Sequence, residues 1–171
     1  MGWINEGETV VEVLDERPSL KALHTAFLNS FENDGLIPER VLALCRLRIA
    51  FIHDVPLMPA GALERLATEP SEEDAHGLTE AQVESLAAGV FTDFDDSERV
   101  ALAIAEKMPY AHHEVSDDEV AAARDAFDNG GAVSLLTALA FFDATCRMKV
   151  ALGAAAAAQL AAAQGPAPEE S

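Results

Sequence analysis

Four polar residues, Arg46, Arg48, His53 and Asp54, lie on and just beyond an apolar run from Val41 to Ile52. A histidine next to a carboxylate suits general acid–base work. Arg48, together with Arg46, could bind a carboxylate or stabilise an enolate. Each residue also has a structural use. A histidine at a helix C-terminus interacts well with the last carbonyls and the helix dipole. An arginine in a buried helix pairs with a structural acid, and Asp143 is a candidate partner. Other residues carry weaker signals. Cys45 and Cys146 lie far apart inside apolar helical patterns and read as small buried hydrophobes. His112 and His113 have no second pair at ligand spacing, so no metal site is expected. The acidic run Glu72-Glu73-Asp74 lacks calcium-loop spacing and reads as a solvated loop. No glycine-rich phosphate cradle occurs, and no cofactor is implied.

The elements that must position these residues are helical, and the expected fold class is all-α. Residues 1–18 read as an arm, in which Thr9 to Leu14 could be a short strand. Residues 19–153 read as one helical domain, and 154–171 as an Ala-rich extension with a disordered tail. Pro18 and Ser19 open a helix whose apolar face is Leu20, Leu23, Phe27 and Phe31, and Asn33-Asp34-Gly35 breaks it. The next helix begins near Pro38, is apolar on nearly every face, and ends at His53-Asp54 before Val55-Pro56. Met58 to Thr68 reads as a shorter helix, and Glu69 to Gly77 as an acidic loop. Thr79 with Gln82 and Ser116 with Glu119 are capping boxes, and one of Asp95, Asp96 or Ser97 caps a helix between them. Pro109 to Val115 is a turn, and Asn129-Gly130-Gly131 ends the helix opened by Ser116. Ala132 to about Leu152 is the domain centre, a subunit interface, or both.

The chain has 171 residues, enough for one domain with a real core, and a formal charge of −19. Lys21, Lys107 and Lys149 are its only lysines. A surface this acidic repels phosphate backbones and anionic lipid, so neither nucleic acid nor a membrane is an expected partner. No basic segment followed by an apolar stretch opens the sequence, and the expected location is cytoplasmic.

Two stretches resemble a known family. Leu44-Cys45-Arg46-Leu47-Arg48-Ile49-Ala50-Phe51-Ile52 is similar to the helix before the active site in the carboxymuconolactone decarboxylase-like superfamily, which includes alkylhydroperoxidase D. Ser97 to Ala103, Ala105-Glu106-Lys107 and His113 to Ala121 resemble the helix-turn-helix that follows that site. Ala140-Phe141-Phe142, Arg147 and Ala151-Leu152-Gly153 resemble its final core helix. The resemblance implies a compact multi-helix bundle and a homo-oligomer. Peroxidase-type members carry a Cys-x-x-Cys pair followed by a histidine. Here Val55 and Met58 occupy the cysteine positions, Gly61 falls where the histidine would be, and Ala43 where a glutamate often stands. Neither Val55 nor Met58 can form a thiolate, so dithiol peroxidase chemistry is not expected. The decarboxylase branch works without cysteines on small carboxylated lactones. The expectation is therefore a non-redox enzyme or binder of a small carboxylated or carbonyl-containing molecule, with His53, Asp54 and Arg48 at its site. The alternative is a non-catalytic oligomer with a structural or regulatory role, and residual peroxidase activity comes third.

Overall fold

Three helices begin where a side chain and the backbone satisfy each other's orphan groups. A computed structural model describes residues 10–55 and 78–152. In it, Thr79 with Gln82, Asp95 with Glu98 and Ser116 with Glu119 all form complete capping boxes. Each box satisfies N-terminal N–H groups that have no partner inside the helix. The helices are α1 (Val10–Val13), α2 (Pro18–Asn33), α3 (Glu39–Ile52), α4 (Glu80–Ala88), α5 (Asp96–Lys107) and α6 (Asp117–Ala151). Two 3₁₀ turns, Leu14–Glu16 and His112–Glu114, complete the set. The described residues are all-helical apart from turns, as the sequence patterns require.

The strand considered over Thr9 to Leu14 does not form within the described residues. Val10–Val13 is a helical turn instead. Val10, Val13 and Leu14, at i, i+3 and i+4, are buried, so the segment covers the domain as a helix turn does. The readings for Met58 to Thr68 and Glu69 to Gly77 lie outside the described residues, as does the extension after Leu152.

Helix α3 is central and packs against α4, α5 and α6. Its apolar surface is consumed on several sides: Val41, Leu42, Leu44, Cys45, Leu47, Ile49 and Ala50 are all buried. Leu102 and Ile104 of α5 and Leu135 and Leu139 of α6 complete the centre, all fully buried. Each such side chain contributes about 1.5–3 kcal/mol by leaving water. Helix α3 ends at Ile52 with His53 as its C-cap, and Asp54 follows at φ 51°. A left-handed residue there turns the chain out of the helix, and Asp tolerates that conformation better than most.

The helix opened by Ser116 ends one residue before Asn129-Gly130-Gly131, at Asp128 (φ 61°, ψ −176°), and the second half of α6 starts at once. Asp128 Oδ1 accepts from the Gly131 N–H at 2.9 Å, so it caps the second half as an N-cap would. Gly131 is required by packing, since a Cβ there would stand 2.7 Å from Phe127 Cβ and 3.1 Å from the Leu36 carbonyl. By length and composition alone α6 could cross a membrane. Its second half carries much of the core of the described residues, through Ala132, Leu135, Ala138, Leu139, Phe142 and Cys146.

The α2 stripe departs from expectation. Phe31 is buried, but Leu20, Leu23 and Phe27 are 44%, 69% and 43% exposed. Helix α2 runs antiparallel to the second half of α6. Ser134 donates to Asp34 Oδ2 at 3.0 Å at one end, and Phe27 meets Phe141 with ring centroids 4.9 Å apart further along.

Candidate functional site

The end of α3 delivers His53 to α6. Its imidazole, 6% exposed, places Nε2 2.6 Å from Asp143 Oδ1. A carboxylate only accepts, so Nε2 carries the proton. The other nitrogen, Nδ1, faces the Tyr110 hydroxyl at 3.3 Å, and in the neutral ring with its proton on Nε2 it accepts from that hydroxyl. Asp143 is held in turn by Arg147, whose Nε donates to Oδ2 at 2.9 Å. Asp143 and Arg147 are one helical turn apart on α6, a spacing at which such pairs meet.

Tyr110 comes from the turn between α5 and α6, and that turn is fastened twice. At its base, Lys107 Nζ donates to the Glu114 carbonyl at 3.1 Å and to Glu119 Oε2 at 2.8 Å. At its tip, an Nη2 of Arg147 donates to the Pro109 carbonyl. The Arg147 guanidinium also lies 5.6 Å from the centroid of the Tyr110 ring. Tyr110 is 66% exposed. The result is a hydrogen-bonded series from half-buried Asp143 through His53 to a phenol in solvent, with Arg147 along its edge. Asp143 raises the affinity of the Arg147 guanidinium for its proton, first through their hydrogen bond and then through charge.

The sequence-derived site residues divide. His53 is central to this set. Asp54 is exposed and adjacent to it. Arg48 belongs to a different structure on the same helix. Its Nε and Nη2 pair with Glu106 Oε2 and Oε1 at 2.5 and 2.9 Å, and Nη1 donates to the carbonyls of Leu86 and Ala87 at 3.0 and 2.7 Å. Arg48 thus fastens α3 to α5 and satisfies the open carbonyls at the end of α4. Gly89, which ends α4 at φ 73°, also makes room for Arg48: a Cβ there would stand 3.0 Å from Nη2. Arg48 shares no hydrogen-bond partner with His53. Asp143, considered as a partner for Arg46 or Arg48, pairs with His53 and Arg147 instead.

Tyr110 and Arg147 were not singled out for chemistry by sequence. The i,i+4 pair Asp143–Arg147, set in an otherwise apolar helix, was the available signal. Neither cysteine is poised for redox work. Burial pushes the Cys45 thiol up, with Glu98 adding to the effect. Burial and then Asp143 push the Cys146 thiol up to about 11. Among the described residues, no group of three or more His, Cys, Asp or Glu side chains could hold a metal ion.

A shallow groove of about 350 Å³ lies between α5 and the first half of α6, lined by Asp96, Arg99, Val100, Ala103, Glu119 and Ala122. It includes none of the His53 set. Comparisons with protein-family models, with curated proteins and with solved structures found no match.

Proposed function

We propose that this chain performs acid–base chemistry on a small carboxylated or carbonyl-containing molecule at Tyr110, His53 and Asp143. The observation that carries the reading is the continuous series from Asp143 Oδ1 through both ring nitrogens of His53 to the Tyr110 hydroxyl. When Tyr110 passes its proton to His53 Nδ1, the imidazolium is held between the phenolate and the Asp143 carboxylate. The phenolate then takes a proton from the carbon beside a substrate carbonyl. The C–H bond breaks, an O–H bond forms, and the electron pair moves to the carbonyl oxygen as an enolate. Arg147 stands at the edge of this path, its side chain 51% exposed, and Nη1 has no hydrogen-bond partner among the described residues. That nitrogen can anchor a substrate carboxylate.

This reading joins the resemblance to the carboxymuconolactone decarboxylase-like superfamily with the loss of its cysteine pair. The all-helical architecture agrees with such a scaffold. Two buried, unpaired thiols fit a reducing cytoplasm. The test is hydrogen–deuterium exchange at the carbon beside the carbonyl, in a panel of 2-oxo and 3-oxo carboxylates in D₂O, followed by proton NMR. The native chain should exchange at least one panel member. Tyr110→Phe should lower the rate by roughly 10²-fold or more with an unchanged melting temperature. Exchange that survives Tyr110→Phe at the native rate would overturn the proposal.

A second reading, a non-catalytic homo-oligomer, is favoured by Leu36 and Val133. They are 44% and 66% exposed; Leu36 lies against Gly130, and Val133 is three residues further along the same helix. Sedimentation showing self-association that Val133→Glu abolishes, with no exchange on any panel member, would support it over the first.

A further inference from the structure

A hydroxyl, an imidazole and a carboxylate, joined through the two opposite nitrogens of the ring, are the parts that activate an oxygen nucleophile. His53 joins such a set. Its Nε2 meets Asp143 Oδ1 at 2.6 Å, and its Nδ1 meets the Tyr110 hydroxyl at 3.3 Å. The carboxylate fixes which nitrogen carries the proton and leaves the other as a base. It also stabilises the imidazolium that forms once the base has taken a proton. The oxygen here belongs to a phenol, and that decides which donors it can attack.

The mounting of Tyr110 suits attack on a group that arrives from solvent. Tyr110 is 66% exposed, whereas the His53 side chain behind it is 6% exposed. The two rings are tilted by 52° with centroids 5.5 Å apart, so the phenol meets the imidazole through its oxygen and not through a stacked face. The backbone is pinned on both sides of Tyr110. The Pro109 carbonyl accepts from Arg147, and the Ala111 N–H donates to the Lys107 carbonyl at 2.8 Å. An oxygen already held against its base gives up little freedom on reaction. The Arg147 guanidinium, 5.6 Å from the centroid of the Tyr110 ring, is a cation beside the place where negative charge would build on an attacked carbonyl.

We propose that Tyr110 is the nucleophile of an acyl transfer from aryl esters to water, with His53 as its base and Asp143 as the residue that positions His53. A phenol is far more acidic than an aliphatic alcohol, and is expelled from an acyl carbon correspondingly more readily. It therefore takes an acyl group from an ester whose leaving group is itself a phenol, and not from an alkyl ester or an amide. In the first step Tyr110 Oη bonds to the acyl carbon while its proton passes to His53 Nδ1. The bond from that carbon to the leaving oxygen breaks, and the leaving oxygen takes the proton from Nδ1. In the second step Nδ1 takes a proton from water, whose oxygen bonds to the acyl carbon. The bond to Oη breaks, and Oη recovers the proton. The sum is one ester and one water giving one acid and one phenol. The activity rests on the same series as the carbonyl chemistry above, but here Tyr110 forms a bond to carbon and there it takes a proton.

The test is reaction of the full chain with p-nitrophenyl acetate, read by nitrophenolate release and, after an acid quench, by mass spectrometry of the digested protein. Nitrophenolate leaves more readily than the phenol of tyrosine, so acylation outruns deacylation and the acyl form accumulates. The native chain should release nitrophenolate in a burst before a slower steady rate, with the acetyl group on Tyr110. Ethyl acetate should leave Tyr110 unmodified. Tyr110→Phe should lose the burst. His53→Gln should slow it by roughly 10²-fold or more, and Asp143→Asn serves as the second variant should His53→Gln fail to fold. Acetylation confined to other residues, or a native burst in Tyr110→Phe, would overturn the proposal. So would acetylation of Tyr110 at the native rate in His53→Gln or Asp143→Asn, which would report only an exposed phenol. The two activities fail separately. Deuterium exchange on the oxo acids with no acetyl on Tyr110 overturns acyl transfer alone, whereas acetyl-Tyr110 formed through His53 without any such exchange supports acyl transfer and removes the carbonyl chemistry.

Discussion

Helix α3 places two cationic or ionisable side chains, five residues apart, into opposite situations. Arg48 is saturated. All three of its guanidinium nitrogens have partners, two on Glu106 and the third on the backbone at the end of α4. His53 is part of a series that is closed at Asp143 and open at Tyr110. A saturated polar group has nothing left to offer a ligand and serves to fasten elements together. A series that ends in solvent can exchange protons with something outside. Completeness of hydrogen bonding separates the two roles where residue type does not.

The largest effect expected from breaking this comparison is at Arg48. Arg48→Leu leaves the Ala87 carbonyl without its side-chain donor, the Leu86 carbonyl with only the Gly89 N–H, and Glu106 without its partner. Glu106 is 42% exposed and recovers solvent, which moderates the loss. A destabilisation of about 2–3 kcal/mol is expected in urea unfolding, with the Tyr110 chemistry preserved in the folded fraction. Arg48→Lys should recover only part of it, because a point charge cannot reproduce the fork onto Glu106. If Arg48→Leu abolished exchange while leaving stability intact, the division between the two regions would fail.

Asp143→Asn gives a smaller change in stability and a larger one in chemistry. An amide can still accept from His53 but supplies no charge to hold an imidazolium. A loss of about 1 kcal/mol in stability is expected, with exchange reduced by on the order of 10²-fold or more. Equal exchange rates in native and Asp143→Asn protein would remove Asp143 from the series.

The smallest effect is in acid, and it belongs to the α2 side. Burial, then Arg46, holds the His24 imidazole below its ordinary value of 6.5. Between the depressed folded value and 6.5 the unfolded chain binds a proton that the folded chain refuses. Stability therefore falls as pH drops through 6.5. His24→Phe should remove that part of the acid dependence, seen as a flatter melting temperature between pH 7 and 5. Below that range other groups take over. Glu119 is held below its ordinary 4.5, chiefly by the Lys107 hydrogen bond and then by the Ser116 backbone. Asp95 is held below 3.8, chiefly by the Glu98 backbone N–H. Their stabilisation is present above the unfolded values and is lost as pH falls through the lower folded ones.

Local features were legible in the sequence, and distant pairings were not. The two capping boxes read from sequence, Thr79 with Gln82 and Ser116 with Glu119, are set by residues three apart and both formed, and of the three cap candidates between them it is Asp95 that caps. The end of α3 at His53 followed from Val55-Pro56 and from the polar residues before it. The partner of His53 lies 90 residues away, and no spacing rule links them. Arg48 and His53 looked alike as polar interruptions of an apolar helix, but the neighbours that distinguish them come from α4, α5 and α6. Periodicity showed that Leu20, Leu23 and Phe27 share a region of α2. It could not show that this region stays in contact with water in the single chain. The Thr9 to Leu14 reading failed for a related reason. Val10, Val13 and Leu14 fit a helical turn as well as a strand, and the described residues contain no strand to pair with.

The break at Asp128 has a consequence for cooperativity. Because α6 is interrupted and recapped there, its two halves need not open together. Residues 117–127 give Ala123 and Phe127 to the core and hold the Lys107 anchor, whereas 131–151 give it Ala132, Leu135, Ala138, Leu139, Phe142 and Cys146. Amide exchange should fall into two protection levels that meet at Asp128, with the higher in the second half. Asp143 and Arg147 then ride on the more persistent unit. Tyr110 reaches them from a turn anchored at its base in the less persistent half and at its tip by Arg147, so local opening of the first half releases one of the two anchors that hold the phenol, without unfolding the domain.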